Sequence, residues 1–137
     1  MTIARSDSMA AELEVRDFLG RCALCADEGH AEEYRNFYSE DVVWETTGTR
    51  QVGIAEVVAA AVERRRAGIS GPGSHTRHVI TTLTVTVDGS KAQALSYVQF
   101  YRDAHATPIL ELIIRYSDKL CRGDGGWKIT HRRITPG

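Results

Sequence analysis

Two acids stand side by side at Asp27 and Glu28, within the stretch ALCADEGHAEEY that spans residues 23–34. The apolar spacing before them is helical, and Gly29 reads as the C′ residue that ends the helix. Both carboxylates therefore fall in a last helical turn, where the helix dipole disfavours negative charge. From the residues alone, Asp27 serves as an acceptor for the N-terminal amides of the helix that starts just beyond Gly29, and Glu28 is a solvated neighbour. The other groups with chemical potential are weaker candidates. Cys22 and Cys25 form C-x-x-C on the apolar side of a helix, away from the N-terminus that a redox pair prefers and without a second pair to complete a zinc site. His75 and His78, in HTRH, are three apart and in a strand would face opposite ways, which makes a poor chelate. No metal site is expected. There is no phosphate-binding glycine fingerprint and no Ser nucleophile elbow.

Composition narrows the class. The 137 residues are enough for one domain spanning 1–137, 42% of them are hydrophobic and 26% charged, and the formal net charge is −1. Near-neutrality offers no general attraction to nucleic acid or to a membrane surface. No apolar run reaches the roughly 18 residues of a membrane span, and the first residues lack a hydrophobic signal core. Three cysteines do not make a disulfide framework, so an intracellular, cytoplasmic location is expected.

The elements that must position these residues run helices first, strands after. Asp7 or Ser8 is placed to cap a helix reaching Glu28, with Ala11, Val15, Phe18, Cys22 and Cys25/Ala26 as its stripe. HAEEYRNFY (30–38) predicts a short helix and DVVWET (41–46) a strand. IAEVVAAAVERRRAG (54–68) predicts a helix with Ile54, Val57, Val58, Ala61 and Val62 on one face and a solvated RRR end. HVITTLTVTV and KAQALSYVQFY flank DGS as a hairpin, and ILELIIRYSDKL and WKITHRRI follow as strands. The expected architecture is α+β, with helices packed on a curled, largely antiparallel sheet.

Four stretches together resemble a known family: ALCADEGHAEEYRNFYSEDVVWE, TRHVITTLTVTVDGSKAQALSYV, RYSDKL and GGWKITHRRI. They cover almost the whole chain, in order. The chain is identified as similar to the nuclear-transport-factor-2-like superfamily, in its SnoaL-like polyketide cyclase and scytalone-dehydratase-like branch. That resemblance implies a cone-shaped α+β barrel enclosing a pocket. It also implies a catalytic pair, since an Asp near the end of the first helix and a His opening a long strand match Asp27 and His78. A carboxylate there would fix the imidazole tautomer and stabilise the protonated ring, leaving a competent general base.

Trp44, Tyr97, Tyr116 and Arg132 complete the candidate substrate-binding set. Aromatics could shape an apolar pocket and a Tyr hydroxyl could polarise a carbonyl. Arg132 matches the family's terminal-strand Arg, which faces the pocket or pairs with Asp118; the structural pair is the preferred reading. The branch with a catalytic Lys in the first helix is not matched, since Arg21 and Cys22 occupy that region.

Strand alternation sets His78 with Ile80, Thr82 and Thr84, opposite the more apolar Val79, Leu83, Val85 and Val87. Hairpin register is open: a two-residue Asp88-Gly89 turn brings Tyr97 to His78's face, and a three-residue turn brings Ser96 and Phe100. The resemblance implies a cofactor-independent lyase or isomerase, dehydratase-like, acting on a small hydrophobic cyclic or polyketide-type molecule. An intramolecular aldol cyclase, or a non-catalytic binding or assembly subunit, is the alternative, with a homodimer or homotrimer expected in each case.

Overall fold

The computed structural model describes residues 2–137, with side chains from Asp7 onward. Helix α1 (Thr2–Glu28) leads through a 3-10 segment (Ala31–Asn36) into strand β1 (Tyr38–Glu45). Strand β2 (Arg50–Val52) and helix α2 (Ile54–Arg66) follow. Four long strands then complete the chain: β3 (Arg77–Asp88), β4 (Lys91–Arg102), β5 (Ile109–Gly123) and β6 (Gly126–Pro136). The strands form one sheet in the order β2-β1-β6-β5-β4-β3. β1 and β6 pair in parallel, and every other pair is antiparallel. The helices cover one face, which gives the cone-shaped α+β fold. Among the described residues no helix is long and apolar enough to cross a membrane.

Local pattern explains most of this. Ala11, Val15, Leu19, Cys22 and Cys25 are buried along α1, at steps of three and four. Leu19 takes the central place expected for Phe18, which instead tilts against Phe37 at 5.4 Å between ring centroids. The helix begins ahead of Asp7 and Ser8, so neither is its cap. On α2, Ile54, Val57, Val58 and Ala61 are buried. Val62 is 48% exposed, too far round the wheel to share that face. Val15, Val42, Val57, Val98 and Ile129 anchor the fully buried core, each contributing about 1.5–3 kcal/mol by burial.

Two irregularities in the sheet decide what faces inward. In β3 the pairing steps from Ile80↔Val98 to Thr82↔Tyr97, a bulge in the strand. Before it, His78 and Ile80 lie opposite the buried Phe100 and Val98; after it, Leu83, Val85 and Val87 lie opposite the buried Ser96, Ala94 and Ala92. One inserted residue thus switches the strand's parity, so His78 and the apolar Leu83-Val85-Val87 set share the inner face. Strict alternation had separated them. A second shift between Lys119 and Leu120 in the β5–β6 pairing does the same for β6, aligning Arg132 with the inward Trp127 and Ile129.

The β3–β4 hairpin closes with Asp88 paired to Lys91, so Gly89 and Ser90 form its two-residue loop. This loop, combined with the bulge, turns Ser96 and Phe100 inward and sends Tyr97 to the outer face.

Candidate functional site

The end of α1 resolves the two misplaced acids. Arg65 of α2 reaches across and donates from Nη2 to the carbonyls of Cys25 (3.1 Å), Ala26 (3.4 Å) and Gly29 (3.1 Å). Its Nε also donates to Gly29 O at 3.3 Å. A guanidinium from another helix therefore satisfies the terminal carbonyls and opposes the negative end of the α1 dipole. Arg65 was expected to be solvated within RRR; instead it packs over Tyr34, 5.2 Å from the ring centroid. Gly71 makes room for it, because a Cβ there would come within 2.5 Å of Arg65 Cγ, and its φ of +96° suits only glycine.

With the helix end neutralised, both acids turn to partners. Glu28 lies 3.5 Å from Arg77. Asp27, only 3% exposed, meets His78: its Oδ1 is 2.6 Å from Nδ1, and its two oxygens accept the His78 backbone N–H at 3.2 and 3.0 Å. The carboxylate thus binds the entry of β3, and the residue preceding the 3-10 segment, His30, supplies no side-chain cap. A carboxylate only accepts, so Nδ1 carries the shared proton, and in the neutral ring Nε2 is the lone-pair nitrogen. Phe100 flanks the ring at 4.8 Å.

His78 lines a pocket of about 240 Å³ at the open end of the cone, together with Trp44, Tyr116 and Arg132. Apolar walls come from Phe100, Leu112, Ile114 and Ile134. The site candidates therefore converge, with one exception. Tyr97 is 42% exposed on the outer sheet face opposite Arg115, because the hairpin register and the β3 bulge turn its neighbours Ser96 and Val98 inward. A larger hollow of about 550 Å³ lies on the outer face of the sheet, around Gln93, Lys119 and Thr130, and contains no histidine.

Arg132 occupies the back of the pocket as a structural pair. Its Nε and Nη2 donate to the two oxygens of Asp118 at 2.8 and 2.9 Å, and Nη1 donates to Tyr38 Oη at 2.8 Å. Its guanidinium lies 4.4 Å from the Tyr116 ring centroid. Burial would lower the Arg132 pKa, but Asp118 beside it more than offsets this, so the pKa stands well above the usual value. Burial pushes the Tyr116 and Tyr38 hydroxyls up, and the nearby Arg132 only partly opposes it. Both phenols therefore stay protonated. Tyr116 Oη has no hydrogen-bond partner among the described residues, and its side chain lines the pocket.

Several lining residues escaped the sequence reading. Tyr34 and Ser70 contribute buried side chains, and Arg64 and Ile69 flank them. Tyr34 is the one with a local signal, standing four residues before Tyr38. The loop after α2 that carries Ile69 and Ser70 has none. His75 does not join His78; it stacks on His105 with centroids 3.7 Å apart. Among the described residues no cluster of three or more His, Cys, Asp or Glu side chains could hold a metal ion.

Helices on a curved mixed sheet, with an apolar pocket whose wall carries His78 in contact with Asp27, are the architecture of an α+β cone. The family model for the SnoaL-like domain matches residues 7–133, and the chain belongs to that family, within the nuclear-transport-factor-2-like superfamily. No curated protein matches the sequence.

Solved structures share the fold. A nuclear-transport-factor-2-like protein with a cystatin-like fold from Novosphingobium aromaticivorans is 20% identical at TM-score 0.78, over 98% of this chain and 87% of that one. A function-unknown protein from Mycobacterium tuberculosis is 24% identical at TM-score 0.77, over 91% and 75%. A candidate β subunit of an aromatic-ring-hydroxylating dioxygenase from Novosphingobium aromaticivorans is 16% identical at TM-score 0.74, over 93% and 90%. At these identities the likeness concerns the fold alone.

Proposed function

We propose that this chain is a cofactor-independent lyase or isomerase for a small, largely apolar cyclic molecule. The observation that carries this reading is the 2.6 Å contact between Asp27 and His78 Nδ1 beside an apolar pocket. His78 Nε2 takes the proton from a carbon adjacent to a carbonyl. The C–H bond's electron pair moves to the carbonyl oxygen, where the protonated Tyr116 hydroxyl donates a hydrogen bond to the developing charge. Asp27 acts as a positioning residue, holding the ring's tautomer and stabilising the imidazolium that forms. Return of the proton to another carbon completes an isomerisation. Expulsion of a β-hydroxyl, protonated from the same imidazolium, completes a dehydration. Attack of the enolate carbon on a second carbonyl of the same molecule would give the aldol cyclase variant.

The first step can be tested without the natural substrate. In deuterium oxide, the wild-type protein should accelerate exchange of the protons beside the carbonyl of 1-tetralone, followed by NMR. His78→Ala should lower that acceleration by about 10²–10⁴. A folded His78→Ala exchanging as fast as wild type would sink the reading.

A non-catalytic assembly role is the second reading. The resemblance to a candidate dioxygenase β subunit favours it, as do Val79, Leu95, Tyr97 and Ile113 exposed on the outer sheet face. Self-association through that face is compatible with either reading, and light scattering on Leu95→Lys would show whether the face is used.

A further inference from the structure

Three consecutive arginines end α2, and the fold treats them unequally. Arg65 is engaged with the carbonyls at the end of α1. Arg66 is paired with Glu63 on the helix surface. Arg64 has no hydrogen bond or ion pair among the described residues. It nevertheless does not point freely into solvent: its guanidinium lies over Trp44, 5.1 Å from the ring centroid, and it lines the pocket mouth beside Thr46 and Ser70.

The carboxylates around this mouth are engaged elsewhere. No carboxylate is among the pocket-lining residues. Asp27 is bound to His78, Asp118 to Arg132, and Glu45 to His131 at 2.8 Å. Arg64 is left without an ion-pair partner among the described residues, held in place by an aromatic face and presented to a partly desolvated cavity. A stacked, preoriented fork of this kind suits a planar carboxylate, which it can bind through two parallel hydrogen bonds. The Ser70 hydroxyl also lacks a hydrogen-bond partner among the described residues and supplies a further donor close to the same end of the pocket.

We propose that the ligand is a ring carboxylate, its apolar ring between Phe100 and Ile114 and its carboxylate on Arg64 at the mouth. Arg64 then sets specificity: a neutral isostere leaves the guanidinium partly dehydrated and unpaired, whereas the anion satisfies it. Anchoring at the mouth also fixes which ring carbon reaches His78 at the opposite wall. The inference rests on the reading of the cone pocket as the site of a small cyclic ligand, and not on the fate of the proton at His78.

Calorimetric titration with benzoate and with the neutral, similarly shaped benzamide separates the two readings. Wild type should bind benzoate about tenfold or more tighter than benzamide, as charge-assisted hydrogen bonds allow, with the ratio shrinking as salt is raised. Arg64→Met, which keeps the apolar stem, should bring the ratio to about one, and Arg64→Lys should keep part of it. Equal binding of the two probes to wild type, an unchanged ratio in Arg64→Met, or no binding of either at millimolar concentration would each overturn the inference. If His78→Ala keeps both the benzoate preference and wild-type proton exchange, the acid–base reading falls and the carboxylate site stands. The reverse failure removes the carboxylate site alone.

Discussion

Asp27 and Asp118 are both nearly withdrawn from water, at 3% and 2% exposure, yet their partners differ in what they leave uncommitted. Asp118 is gripped by both arms of Arg132, whose remaining arm is held by Tyr38. Asp27 binds one nitrogen of His78 and that residue's backbone amide, so the second ring nitrogen stays available on the pocket side. A buried guanidinium pair keeps its charge and does no proton transfer, because arginine does not release its proton at working pH. A buried carboxylate–imidazole pair can move a proton with a small change in geometry. The two pairs stand at one cavity, with the first organising its wall and the second carrying the proposed proton transfer.

Variants should pull the two pairs apart. The largest effect expected on activity is the 10²–10⁴ fall in tetralone exchange for His78→Ala, with thermal stability changed little. The backbone amide of residue 78 still satisfies Asp27 in that variant, and a melting curve checks this. Arg132→Met should do the opposite, costing about 3–5 kcal/mol in urea unfolding by stranding Asp118. Adding Asp118→Leu should recover most of that loss, since replacing both members of a buried pair is far milder than removing one. Little destabilisation in the single variant would mean that Asp118 reaches water.

Asp27→Asn probes the positioning role. The amide keeps one acceptor oxygen but loses the charge, so exchange should fall while benzoate binding persists. Lower stability with unchanged exchange would leave Asp27 only the task of tying β3 to α1. Arg65→Met removes the cross-helix cap and should cost about 1 kcal/mol, seen in the urea midpoint, because a satisfied helix terminus contributes on that order.

The smallest effect is alkaline. Burial raises the pKa of Tyr38, Tyr116 and Cys22, and pushes Cys25 up to about 11 with the neighbouring Cys22 and Glu33 assisting. The folded chain therefore keeps protons that the unfolded chain releases above about 8.5 for thiols and 10 for phenols. Stability from these groups is whole below those values and declines as pH rises through them. Denaturant midpoints from pH 7 to 10 should fall accordingly, and Cys121, the one cysteine not buried, should react first with a thiol reagent.

Much of the fold was legible in the residues. Helical stripes on α1 and α2, the Asp88-Gly89-Ser90 turn and the long alternating strands depend on neighbours within a few positions, so local spacing reports them. The short β2 went unseen, because three residues carry no period and their pairing comes from β1. Of the candidate residues, His78, Trp44, Tyr116 and Arg132 line the pocket and Asp27 stands behind His78, and the Asp27–His78 pair came through family resemblance rather than spacing.

What only the tertiary structure decided is which way several side chains face. The β3 bulge is fixed by pairing with β4, and it brings His78 inward while register sends Tyr97 out. Arg65 reads identically to Arg64 and Arg66 in sequence, yet its partners lie 36 to 40 residues away at the end of α1. The sequence by itself determined periods, turns and the residue types available for chemistry, because those follow from covalent geometry and local burial. Parity at a bulge, a cap supplied from another helix and an arginine left uncommitted beside the pocket depend on distant segments meeting, and no local pattern carries that information.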